Sequence, residues 1–139
     1  MLSALASPSV CVIDDEEEDY LPVLSVLNSN FVSTVHLLGT IDGLPPKPFE
    51  ELKLVFLDLH LSGSIGKDAA SYTADIFRKV VSAQTAPIIV VIWSKYAGDK
   101  IDVSGQPAED QETEAELFKR TLLGAERIYE GRLGKLCVA

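Results

Sequence analysis

Positive charge is scarce in this chain. Twelve lysines and arginines stand against twenty-one aspartates and glutamates, for a formal net charge of −9. Duplex nucleic acid is gripped by basic groups that displace its counterions, so direct DNA or RNA binding by this domain is excluded. The acidic balance suits a cation site or a basic partner instead. Cysteine is nearly absent too: Cys11 and Cys137 are far apart and form no CxxC pair, which removes zinc-ribbon and dithiol-redox readings. Cys11 lies in an apolar run and reads as a small core residue. No apolar run approaches the roughly 20 residues of a membrane span. The start, MLSALASPS, lacks the basic head of a signal peptide, so a cytoplasmic location is expected. No GxGxxG follows a strand. GSIGKD is no phosphate loop either, because the first glycine of that motif falls at Leu61 and Asp68 replaces its Ser or Thr.

What is present is an ordinary globular composition, with 47% hydrophobic and 24% charged residues in a chain of 139. That length makes one domain, 1–139, with enough chain to bury a core. The ending GRLGKLCVA is abrupt, as in a piece of a longer protein. Three short unbroken apolar runs read as strands covered on both faces, as in a parallel sheet: Val10 to Ile13, Leu54 to Leu57, and Ile88 to Trp93. A fourth strand is expected between Phe31 and Leu37, where Val32 and Val35 add β propensity.

Helical spacing lies between the runs. Tyr20, Val23, Leu24 and Leu27 share one face, with Pro22 placed in a first turn. Ala69, Tyr72, Thr73, Ile76 and Val80 repeat the spacing. Glu112 to Leu123 is a third helix, with Gly124 as its stop. Thr40 to Pro48 reads as loop, Phe49 to Lys53 as a short helical turn, and Ala97 to Asp110 as a long loop. The alternation predicts an open α/β sheet with helices on both faces, whose ligands sit at the carboxyl ends of the strands.

Those carboxyl ends carry the chemistry. Asp14 and Asp15 follow the first run, Asp58 follows the second main run, and Ser94 follows the third. In a parallel sheet all of them emerge on one edge. Clustered carboxylates raise one another's cost of ionising, and a hard divalent cation such as Mg²⁺ removes that cost. A strand-end carboxylate can then act as a nucleophile toward a phosphoryl group. The acids Glu16 to Asp19 need no such role, since negative charge suits a helix start. Asp58, set between Leu57 and Leu59, is harder to explain as a surface group. His36 reads as an ordinary strand residue.

VCVIDDEEED, LVFLDLHLSG and PIIVVIWSK, in that order and each closing a strand, resemble the receiver domain of two-component response regulators. The resemblance spans most of residues 10 to 95. It implies a doubly wound, parallel five-stranded sheet of flavodoxin-like receiver type. It also implies Mg²⁺ held by Asp14, Asp15, Asp58 and the backbone carbonyl of His60, with Asp58 as phospho-acceptor and Ser94 as switch hydroxyl. The family's lysine on a short fifth strand corresponds best to Lys135, with Lys95 and Arg132 as alternatives, and Tyr129 stands in for its last-strand aromatic residue. The phosphoryl donor would be a sensor histidine kinase or a histidine phosphotransfer protein. A phosphorylation-linked dimer belongs to the same picture. Such a domain promotes its own phosphorylation and is not a turnover enzyme.

Two departures leave a second reading open. No Lys-Pro closes a fifth strand, and Leu-Ser-Gly follows the acceptor where the family has a proline-containing turn. Both suit a pseudo-receiver, a phosphorylation-independent interaction module. A phosphohydrolase with a strand-end Asp nucleophile would need a second Asp two residues on, and His60 stands there instead.

Overall fold

The apolar runs form a parallel sheet. The computed structural model describes residues 7–59, 61, 66–82, 87–93, 113–124 and 133–138. Strands β1 (Val10–Ile13), β2 (Thr34–Leu37), β3 (Leu54–Leu57) and β4 (Ile88–Ile92) pair in parallel, and the backbone of β5 (Leu133–Val138) continues the sheet beside β4. The strand order is β2-β1-β3-β4-β5. β1 lies inside the sheet, between β2 and β3, and all four of its residues are buried, which is why it reads as a continuous apolar run rather than an alternating one.

Among the described residues three helices accompany the strands: α1 (Glu17–Ser29), α2 (Gly66–Val80) and α3 (Glu114–Gly124). Side chains alternate across a strand, so Cys11, Ile13, Val55, Leu57, Val90 and Ile92 share one face. They form a single core with Ile76, Phe77 and Val80 of α2 and Phe118 and Leu122 of α3. The Phe77 and Phe118 rings meet edge-on, 6.1 Å apart, and Nη2 of Arg78 donates to the carbonyl of Thr121 at 3.1 Å. α1 lies against the opposite face, where the Tyr20 ring stacks on His36 at 3.9 Å. On that face β3 and β4 are less covered. Leu54, Phe56 and Val91 are half-buried and Ile89 is 44% exposed. Among the described residues no helix is long and apolar enough to cross a membrane.

Several boundaries differ from the sequence reading, each for a local reason. α1 begins at Glu17, its first turn acidic as the helix dipole favours. Pro22 therefore lies beyond that turn, inside the helix, where it removes one hydrogen-bond donor. The expected helical turn at Phe49 to Lys53 is not formed. The Phe49 N–H bonds the carbonyl of Val80 at 2.7 Å, and the Ser82 N–H returns to the Phe49 carbonyl at 3.0 Å. These long-range bonds take the place of a local turn, and a 3₁₀ turn forms instead at Ile41–Gly43. The run Ala97 to Asp110 lies outside the described residues.

β2 also starts later than expected, at Thr34, because Phe31 closes α1. The Val32 N–H reaches back to the Leu27 carbonyl at 3.0 Å, a helix-ending motif that sets its linking residue in the left-handed region. That residue is Phe31, with φ of 57° and 96% of its surface exposed. A non-glycine residue pays roughly 1 kcal/mol for this conformation, and Phe31 buries nothing in return. Phe31→Gly is expected to raise the melting temperature by a few degrees. Thermal unfolding by circular dichroism checks this, and an unchanged or lower midpoint would contradict it.

Candidate metal centre

The sheet order places a topological switch beside β1. The chain leaves β1 toward β2 on one side and later returns to β3 on the other, and ligands of open α/β sheets sit outside the carboxyl ends at such a point. The register brings Ile13 level with Leu57, and the Asp58 N–H donates to the Ile13 carbonyl at 3.0 Å. Asp14 and Asp58 are therefore next to one another by backbone pairing. One carboxylate oxygen each from Asp14, Asp15 and Asp58 lies within 4.8 Å of the others.

Burial gives this cluster its character. Asp14 is 1% exposed and Asp58 7%, whereas Asp15 is half-buried. Burial pushes the Asp14 carboxyl up to about 7, and the neighbouring charges of Asp58, Asp19 and Asp15 push in the same direction. The Glu16 N–H, 2.8 Å from Asp14 Oδ1, opposes the rise. The donor set is all hard oxygen. Two oxygens on opposite sides of one Mg²⁺ stand about 4.2 Å apart, and on Ca²⁺ roughly 5 Å. The triad, its oxygens within 4.8 Å of one another, could hold a divalent cation.

No family model, curated protein or solved structure matches the chain. The reading of this centre accordingly rests on its own geometry.

The remaining predicted residues divide clearly. The Trp93 N–H donates to the Leu57 carbonyl at 3.2 Å, so β4 leaves the sheet level with β3, at the edge where the acids sit. Ser94 comes next in sequence but lies outside the described residues, as do His60, Lys95, Tyr129 and Arg132. Lys135 is on β5, paired with Ile89. Ile89 pairs with Leu54 and Leu54 with Val10, so the backbone of Lys135 belongs to the row at the amino-terminal end of the strands. Val138 is the β5 residue level with Ile92. Lys135 precedes it by three positions, or about 10 Å at roughly 3.3 Å per residue.

Other residues bear on the site without having been singled out for it. His36 is no ordinary strand residue, because its Nε2 lies 2.9 Å from the Asp14 carbonyl oxygen. The segments after β3 and after β2 are each tied to α2. The Thr73 hydroxyl donates to the Leu59 carbonyl at 3.3 Å, and the Tyr72 hydroxyl donates to the Gly39 carbonyl at 2.8 Å. Gly39 has φ of +80°, and a Cβ there would stand 2.7 Å from Leu61 Cδ2. No periodicity in the sequence marks these contacts, since they join residues brought together only by the sheet.

Two outcomes follow. Gly39→Ala combines an unfavourable backbone angle with displacement of Leu61, and should cost roughly 1–2 kcal/mol in denaturant unfolding. Equal stability would show that Leu61 yields freely. The second concerns pH. Asp14 holds its proton more tightly folded than unfolded, so its contribution favours the fold at low pH and is lost as pH rises from 3.8 to about 7. Without metal, the stability advantage of Asp14→Asn over the unsubstituted protein should widen across that window, and excess Mg²⁺ should narrow it. A gap that ignores both pH and Mg²⁺ would contradict the electrostatic account.

Proposed function

We propose that this chain is a receiver-type signalling domain of flavodoxin-like fold that accepts a phosphoryl group on Asp58. The observation that carries the proposal is the convergence of Asp14, Asp15 and Asp58 at the switch point of a parallel sheet, two of them buried. A merely solvated acidic patch would keep its carboxylates in water. Here desolvation works against ionisation, a cost that structures sustain where a cation or a reaction needs it.

In this reading Asp14 and Asp15 hold Mg²⁺ and Asp58 shares it. When bound, the ion would neutralise charge on the phosphoryl group and on the carboxylates around it. The Asp58 N–H bond to Ile13 fixes the backbone from which the nucleophilic carboxylate projects. A carboxylate oxygen of Asp58 attacks phosphorus in a phosphohistidine on a sensor kinase or phosphotransfer protein. The P–O bond of an acyl phosphate forms, the P–N bond breaks, and the released imidazole takes up a proton. Leu59, held by Thr73, and Leu61, close against Gly39, link the acceptor to the loop after β2. They offer a route by which a modified Asp58 would reshape a binding face.

A second reading, the pseudo-receiver, is favoured by the placement of Lys135 in the amino-terminal row of the sheet, away from the edge where a charge-neutralising lysine would act. One experiment separates the two. The purified protein is incubated with Mg²⁺ and a small-molecule phosphodonor, quenched in acid and weighed by mass spectrometry. A receiver gains one phosphate, lost in Asp58→Asn and lost on chelation of the metal. If no adduct forms and the Asn variant behaves as the unsubstituted protein does, phospho-acceptance is wrong and the interaction module stands.

A further inference from the structure

The peptide joining the two adjacent acids is held by a side chain from the neighbouring strand. The β1–β2 ladder ends at the pair Ile13 and Leu37. Beyond it, the Asp14 N–H still donates to the Leu37 carbonyl at 3.1 Å. The Asp14 carbonyl lies one step past the ladder, and the His36 ring meets it there, Nε2 to oxygen 2.9 Å. A carbonyl oxygen only accepts, so Nε2 carries the proton.

We infer that His36 is a positioning residue for the cation site, acting through the Asp14 carbonyl; the inference rests on reading Asp14, Asp15 and Asp58 as that site. The Asp14 carbonyl and the Asp15 N–H belong to one planar unit. Anchoring the oxygen of that plane limits its rotation, and its rotation sets the directions in which both acids project. The ring itself is braced. It stacks on Tyr20 at 3.9 Å with a 31° tilt, and the Tyr20 N–H is bonded to the Glu16 carbonyl at 3.1 Å in the first turn of α1. The Glu16 N–H in turn meets Asp14 Oδ1. Backbone and carboxylate of Asp14 are thus gripped by β2 on one side and by the start of α1 on the other. Tyr20 and His36 join the two grips.

Groups that orient metal ligands commonly change affinity by 10- to 100-fold when removed. His36 acts through a peptide rather than on a carboxylate, so about a tenfold loss is expected. The test is a calorimetric titration of the full chain with Mg²⁺ at fixed neutral pH, alongside its melting temperature. His36→Phe keeps a ring to stack on Tyr20 and removes the donor. His36→Gln restores an N–H the same number of bonds from the backbone. The expected result is about tenfold weaker binding for the Phe variant and recovery of most of that loss in the Gln variant. Unchanged affinity in the Phe variant overturns the inference and leaves the cation site standing. Equal loss in both variants, matched by equal loss of melting temperature, also overturns it, because the histidine would then be only a packing group. If the unsubstituted protein itself takes up no Mg²⁺, the cation site fails and the positioning role with it.

Discussion

The register between β1 and β3 governs the rest of this molecule. Ile13 sits level with Leu57, and the next residue of each strand is an aspartate. A slip of one residue would turn every β3 side chain to the opposite face. It would take Val55 and Leu57 out of the core and carry Asp58 away from Asp14. The burial of those two apolar residues, both fully enclosed, therefore holds the acids together. Core packing and site geometry are one constraint seen from its two ends.

That arrangement sets opposing physical demands on the strand ends. The same apolar surroundings that hold the register also withdraw water from Asp14 and Asp58, and the charges of neighbouring acids add to the cost of ionising Asp14. One hydrogen bond offsets part of this at Asp14: the Glu16 N–H donates to its Oδ1. A divalent cation would offset the remainder with oxygen ligands already gathered. The Cys11 thiol shows the contrast. Burial pushes it up to about 12, it lies within the apolar core, and nothing around it calls for chemistry.

The two faces of the sheet are built unequally. α2 and α3 pack on one another and over the shared core, with aromatic and arginine contacts between them. On the other face α1 stands over β2, where the Tyr20 ring stacks on His36. That stack and the Glu16 N–H to Asp14 Oδ1 tie the helix to the acidic pair, while β3 and β4 remain half-covered beside it. The Phe56 and Trp93 rings lie 5.6 Å apart on this side, and the Trp93 backbone still pairs with β3 next to Asp58.

Much of this was legible in the amino-acid sequence, because its signals are local. Unbroken runs such as Val10 to Ile13 and Leu54 to Leu57 are the mark of strands inside a parallel sheet, even where, as on β3, one face is only half covered. An aspartate directly after such a run must stand at a strand end. Those facts alone specified the parallel α/β class and the acids Asp14, Asp15 and Asp58. Contacts that depend on which strand lies beside which, and at what offset, were not legible. Neighbouring strands are distant in sequence, and one apolar strand pairs about as well as another until the whole sheet assembles. Only the tertiary structure could bring His36 to the Asp14 carbonyl, set Gly39 over Leu61, turn Phe49 toward the end of α2, and seat Lys135 beside Ile89.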